Sequence, residues 1–211
     1  MPAGRPGLGA VYRVCPGLEL VLASASPRRQ EFLSRLGLDF QALPARVDES
    51  LRPGEPAQEA AQRLARLKAR AVAQDRPGAA VLAADTLVVL GGAILGKPQD
   101  LQDARRMLQM LSGAEHQVVT GYCLRHTGLE QCAQAVSRVR FRRLRPAEIA
   151  AYVASGEPLG KAGAYAVQGL GAALVREVGG SYTNVVGLPL AEVVELLLRL
   201  GIIEPGVEVE A

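Results

Sequence analysis

The stretch Leu20–Phe40, LVLASASPRRQEFLSRLGLDF, decides how the rest of the chain is read. Leu20, Val21 and Leu22 form a short apolar run suited to a buried strand, and the small residues Ala23, Ser24 and Ala25 let the backbone turn sharply. Ser26 is a favoured N-cap residue, and Pro27 has its φ pre-set for the first helical position. Phe32, Leu33 and Leu36 then share one helical face, and Gly37 can take the left-handed conformation that stops a helix. The stretch reads as a strand, a tight turn and a helix start.

A helix start offers unpaired N–H groups and the positive end of its dipole. Two hydroxyls, Ser24 and Ser26, and two guanidinium groups, Arg28 and Arg29, crowd this one, which makes the turn a candidate phosphate site. The plainer reading is a capped helix with solvated arginines, but a cap needs one hydroxyl and no arginine pair.

Composition narrows the classes. At 211 residues the chain suits one α/β domain, or two small lobes sharing a sheet. No apolar run approaches the roughly 18 residues of a membrane span, and the opening MPAGRPGLGAVYRVCPG lacks the apolar centre of a secretory signal, so a cytoplasmic protein is expected. Cys15, Cys123 and Cys132 are odd in number and lack C-x-x-C spacing, and they read as reduced thiols rather than a disulfide frame or zinc site. With His116 and His126 as its histidines and no H-E-x-x-H, a histidine-ligated metal centre is not expected, and any metal should be a hard ion such as Mg²⁺ or Mn²⁺ held by carboxylates and phosphate oxygens. The net charge of +3 is too small to imply a nucleic-acid partner. Arg138, Arg140 and Arg142 alternate on one face if 136–144 is a strand, and without aromatic stackers a solvated face is expected.

Along the chain, residues 1–17 read as a flexible or loosely docked extension, 18–203 as the domain and 204–211 as an acidic tail. Ala57–Gln74 has the composition and spacing of a helix, with Lys68 assigned to a different face from Leu64 and so to the surface. Ala79–Leu90, AAVLAADTLVVL, reads as a central strand apolar on both faces. Asp85 interrupts it. A carboxylate there is costly unless paired, hydrated at a pocket or metal-bound, so Asp85 is the leading functional candidate; a buried aspartate bonded to backbone or arginine is the structural alternative. Gly91-Gly92 predicts a hairpin that returns to Lys97 and could place it near Asp85. Asp100 should cap a helix to Leu111, and strands are expected over 117–125 and 131–144. A short helix should start at Pro146, with a further strand over 172–178 and a last helix from Pro189 to Leu200. His116 lacks a catalytic partner in the sequence and is expected to be a structural hydrogen-bonding residue. Residues 156–171, GEPLGKAGAYAVQGLG, read as a polar, mobile loop suited to a substrate lid.

Ser24-Ala25-Ser26-Pro27-Arg28-Arg29 resembles the S-x-S-P-R-R signature of the Maf family of nucleoside triphosphate pyrophosphatases. Ala84-Asp85-Thr86 with Leu95-Gly96-Lys97-Pro98, the 111–121 segment, the 156–171 loop and Ser181–Pro189 extend the resemblance over roughly 20–201. It implies a mixed, elongated β-sheet flanked by helices, two lobes around a nucleotide cleft, and a homodimer. It further implies that Lys68, in Arg63-Leu64-Ala65-Arg66-Leu67-Lys68-Ala69, reaches substrate phosphate, and that Glu49 belongs to the catalytic pocket. Arg28, Thr86 and Gln168 match the positions that accompany the dTTP/UTP-preferring branch, whereas a 7-methyl-GTP-preferring branch differs there.

No G-x-x-x-x-G-K-[ST], dinucleotide fingerprint or G-x-S-x-G elbow is present. The expected chemistry is therefore hydrolysis by water. Asp85 would orient or deprotonate that water and share a divalent ion with Glu49, and Ser24, Ser26, Arg28, Arg29, Lys68, Lys97 and Lys161 would hold the phosphates. Gln168 can donate and accept at a pyrimidine edge. The rival of a different class is a nucleotide-binding regulator of cell division with little turnover.

Overall fold

The computed structural model describes residues 10–206; residues 1–9 of the expected extension and 207–211 of the expected tail lie outside the described residues. Among the described residues nine strands divide between two sheets: β1 (Tyr12–Val14) pairs antiparallel with β9 (Ile203–Pro205), and the other seven form one mixed sheet. These are β2 (Leu20–Leu22), β3 (Gln41–Ala42), β4 (Ala80–Leu90), β5 (Ala93–Leu95), β6 (Glu115–His126), β7 (Leu129–Phe141) and β8 (Val175–Gly179). Their order is β3-β2-β4-β6-β7-β8, with β5 attached to β4, and β2 lies parallel to β3 and β4 while the other pairs are antiparallel.

One feature of this order positions the site. Strand β4 pairs with β6 along one edge over Val81–Val89. Its other edge is divided, with Ala80–Leu82 taken by β2 and Val88–Leu90 by β5. Between them, around Ala84–Leu87, no described strand completes the sheet. The loop after β2 and the loop after β5 both end at this gap.

Alternation along β4 sends its side chains to two layers. Val81, Ala83 and Leu87 face α2 (Ala57–Asp75), whose Ala60, Ala61, Ala65 and Ala69 are fully buried and let the helix lie close to the sheet. Ala80, Leu82 and Ala84 face the opposite layer, packed with Leu33 of α1 (Pro27–Arg35) and with Val193 and Leu197 of α6 (Leu190–Arg199). Farther along that face, Val88 packs in a separate core with α3 (Leu101–Leu111) and α4 (Pro146–Ala154). The apolar layer is thus split into two lobes, and the break coincides with the gap in the β4 edge. The short α5 (Tyr182–Val186) lies beside β6.

Local signals account for most elements. Asp100 caps α3 by accepting the Asp103 N–H at 2.7 Å, and Ala104, Met107, Leu108 and Leu111 form its buried side. Gly91 and Gly92, at φ +57° and +85°, make the β4–β5 hairpin turn. Four expectations need correction. Tyr12–Val14, assigned to a loose extension, is strand β1, because Ile203–Pro205, partly assigned to the tail, supplies its partner. Leu170–Leu174 is a 3-10 turn, so the strand expected over 172–178 starts at Val175. Gly163–Val167, inside the expected mobile loop, is buried, with Ala164, Tyr165 and Val167 in the α3–α4 core. Cys123 and Cys132 are disulfide-bonded rather than reduced, since the β6–β7 register sets them directly opposite; Cys15 is free.

Candidate active site

The gap in β4 opens into a cleft of about 750 Å³, of a size that admits a small ligand. Ser24, Ser26, Arg28, Arg29, Glu49, Lys68, Asp85, Thr86, Lys97 and Lys161 all line it. A depression of similar volume between the 51–58 segment and the Gly91-Gly92 turn lacks such a convergence, and its Glu55 and Glu115 are paired with Arg63 and Arg140.

On the α2 side of the gap Asp85 accepts from Lys68 Nζ at 2.6 Å through Oδ1, and the same ammonium lies 2.8 Å from Glu49 Oε2. The side chains of Lys68 and Asp85 are each 10% exposed, while that of Glu49 is 47% exposed. Lys68 is therefore a buried lysine and not a surface one. Leu64 and Lys68 stand one helical turn apart, so they share a face, contrary to the sequence assignment. That face leads into the cleft, where the ammonium finds two carboxylates. No group of three or more His, Cys, Asp or Glu residues able to hold a metal occurs among the described residues. Asp85 and Glu49 are a two-carboxylate donor set of the kind Mg²⁺ or Mn²⁺ uses when phosphate oxygens and water complete the shell.

The other wall begins with α1. Ser26 occupies the N-cap position, but its side chain makes no cap bond; Ser24 Oγ instead accepts the Ser26 N–H at 3.1 Å. The Ser26 hydroxyl is left facing the cleft. Arg29 donates Nε–H to the Gly187 carbonyl at 2.7 Å and Nη1–H to the Ala84 carbonyl at 2.9 Å and to Ser24 Oγ at 3.2 Å. Its Nη2 donates to Thr86 Oγ1 at 3.0 Å. Four of the five guanidinium hydrogens are thereby spent on protein. Arg29 satisfies the bare edge of β4 and ties both neighbours of Asp85 to the α1 turn, leaving little for phosphate. Thr86 Oγ1 also lies 2.9 Å from Thr120 Oγ1, on the face opposite Asp85.

Arg28 differs from Arg29. It is half-buried, and no protein oxygen among the described residues accepts from its guanidinium. Burial pulls its pKa down, while the Glu157 charge opposes that. Lys161 is also held below the ordinary lysine range, first by burial and then by the positive charge of Arg28, with Glu157 again opposing. Arg28 and Lys161 thus stand close enough on one concave wall for the charge of Arg28 to be felt at Lys161, an arrangement suited to an anion. Lys97 reaches the same cleft from the end of β5 and is exposed. Gln168 is exposed and does not line the cleft.

Sequence reasoning did not foresee the role of Gly187. Its carbonyl accepts from Arg29 and lies 3.3 Å from Thr86 Oγ1, and its φ of +128° suits glycine. The Ser181–Pro189 match pointed to this segment without identifying the contact. His116 is a buried structural residue as expected, with Nε2 2.9 Å from Tyr165 Oη.

A family model described as Maf-like protein matches residues 19–200. A dTTP/UTP pyrophosphatase of Anaeromyxobacter dehalogenans (strain 2CP-C) is 58% identical over 186 residues, covering 86% of this chain and 94% of that protein. A dTTP/UTP pyrophosphatase of Geotalea uraniireducens (strain Rf4) is 50% identical over 187 residues, 88% of this chain and 96% of its own length. One from Syntrophomonas wolfei subsp. wolfei (strain DSM 2245B / Goettingen) is 48% identical over 182 residues, 85% and 96% respectively.

Proposed function

Since the chain belongs to the Maf family, we propose that it hydrolyses dTTP and UTP to the nucleoside monophosphate and pyrophosphate. The observation that carries this reading is one cleft with Arg28, Lys97 and Lys161, none in a salt bridge among the described residues, on one wall and a buried carboxylate on the other. Arg28, Lys97 and Lys161, with the Ser26 hydroxyl, hold the phosphates; Ser24 and Arg29 shape the turn beneath them. Water attacks the α-phosphorus, the bond to the bridging oxygen breaks, pyrophosphate leaves and the water's proton passes to Asp85. Lys68 holds Asp85 in place and, once phosphate arrives, is near enough to share its charge. Asp85 and Glu49 would hold Mg²⁺ or Mn²⁺, which neutralises charge developing on the phosphate oxygens. Thr86 and Arg28 place the nucleotide against the β4 gap, and Gln168, which is exposed and outside the cleft lining, reads the pyrimidine edge of a base that projects out of the cleft.

The family resemblance also carries a homodimer into this reading, and the cytoplasmic location expected from the lack of a signal-like segment is kept with it; no described helix is long and apolar enough to cross a membrane. The test is pyrophosphate release from dTTP, UTP, CTP and 7-methyl-GTP with Mg²⁺ or Mn²⁺. Turnover of dTTP and UTP is expected to exceed the others, and Asp85→Asn should lose about 10²–10⁴-fold in kcat while keeping its fold by circular dichroism. Normal turnover in that variant overturns the mechanism. Tight dTTP binding by the wild type without pyrophosphate release would identify a nucleotide-binding regulator instead.

A further inference from the structure

Glu157 is an acid that the proposed reaction does not use, yet it is saturated with donors. Its Oε1 accepts from the Tyr152 hydroxyl at 2.8 Å and the Gly171 N–H at 2.9 Å, and its Oε2 accepts from the Leu170 N–H at 2.9 Å. Burial pushes the carboxyl up, but the Gly171, Leu170 and Tyr152 bonds outweigh it and keep the group ionised. Burial and the Glu157 bond in turn keep Tyr152 a phenol, able to donate. A carboxylate engaged in this way is a poor proton carrier and a strong fastener.

What it fastens is the turn around Gln168. Tyr152 Oη accepts the Ala166 N–H at 3.2 Å, so the Tyr152–Glu157 pair grips the backbone on both sides of Gln168, at 166 and at 170–171. Gly169 N–H closes the turn on the Ala166 carbonyl at 3.2 Å, and a Cβ on Gly169 would overlap the Glu157 carboxylate. The other end of the same segment reaches the cleft. Lys161 Nζ donates to the Glu157 carbonyl at 2.6 Å, and Gly163 N–H donates to the Gly96 carbonyl, beside Lys97, at 3.0 Å. One residue therefore anchors Lys161 through its backbone and the Gln168 turn through its side chain.

We propose that Glu157 is a positioning residue for nucleotide selectivity: its carboxylate holds the 166–171 turn so that Gln168 stands at a set distance from the phosphate-binding Lys161. This rests on the reading of Gln168 as the base-contacting residue. The isosteric Glu157→Gln substitution puts an NH₂ where one backbone N–H now donates, so a bond is lost and two donors face each other.

The test measures kcat/KM for dTTP and for CTP in wild type, Glu157→Gln, Gln168→Ala and the double variant, with backbone amide exchange of 166–171 followed in parallel. Glu157→Gln is expected to lower the dTTP:CTP ratio about tenfold, chiefly through KM, and to speed exchange at Leu170 and Gly171. In the Gln168→Ala background it should change the ratio no further. The proposal is overturned if Glu157→Gln slows both nucleotides equally with the ratio intact, or if the two substitutions multiply. It also falls if Gln168→Ala keeps the wild-type ratio. Absence of pyrophosphate release from either nucleotide by the wild type would instead reject the enzymatic reading, with the exchange data still reporting whether Glu157 holds the turn.

Discussion

Lys68 and Asp85 form a buried pair whose two halves are not equivalent, and this asymmetry is measurable. Lys68→Met removes the ammonium that Asp85 and Glu49 share. Glu49, with its side chain 47% exposed, is hydrated without it, but Asp85, at 10%, is left charged and unpaired beneath α2. Breaking a buried pair in this way costs about 3 kcal/mol. Asp85→Asn is milder, because the amide oxygen can still accept from Lys68 and the ammonium keeps Glu49; about 1 kcal/mol is expected. For a chain of this length that corresponds to roughly 6–12 °C in Tm for Lys68→Met against roughly 2–4 °C for Asp85→Asn. The double variant should be more stable than Lys68→Met alone, since the second change discharges the stranded carboxylate. Urea and thermal unfolding followed by far-ultraviolet circular dichroism, without metal or nucleotide, provide the measurement. Equal losses in the two single variants that add in the double would show that Asp85 does not depend on Lys68, and the reasoning would fail.

Gly121 lies across from Asp85 in the β4–β6 pair, and a Cβ there would overlap the backbone of Ala61 in α2. Gly121→Ala should lower stability by about 1–3 kcal/mol and also reduce activity by shifting the helix that carries Lys68; a wild-type Tm would refute this. His116, buried against Phe141 and Tyr165, has its pKa pushed down by burial to about 4. The unfolded chain therefore binds the extra proton first, and stability present above about pH 6.5 is lost as pH falls toward 4, by up to about 3 kcal/mol. His116→Gln should flatten the dependence of the urea midpoint between pH 6.5 and 5 by one proton; an unchanged slope would remove the assignment.

Much of this molecule is legible from the sequence, and the legible part is local. Helix caps, glycine turns and apolar periodicity depend on residues a few positions apart, so Pro27–Arg35, Leu101–Leu111 and the Gly91-Gly92 hairpin follow from the residues that form them. Asp85 stood out for the same reason, as a charge in an apolar strand. The family resemblance supplied the reaction and its nucleotides, which residue chemistry alone did not.

Tertiary structure decided which of two similar residues does what. Arg28 and Arg29 are neighbours of identical chemistry, yet Arg29 is spent on Gly187, 158 positions away, and on the bare edge of β4, whereas Arg28 is left to the cleft. Sheet register set Cys123 opposite Cys132, and the packing of α2 on the sheet brought Lys68 to Asp85. Gly163–Val167 became core once α3 and α4 closed over it. The sequence by itself determined the helix starts, the glycine turns and the buried faces of elements such as Leu101–Leu111 and Ala80–Leu90, because these are set by each residue's own dihedral preferences and hydrophobicity. The pairing of polar groups was decided by the order of strands, since a donor's partner is whatever the fold brings within about 3 Å, however distant in the chain.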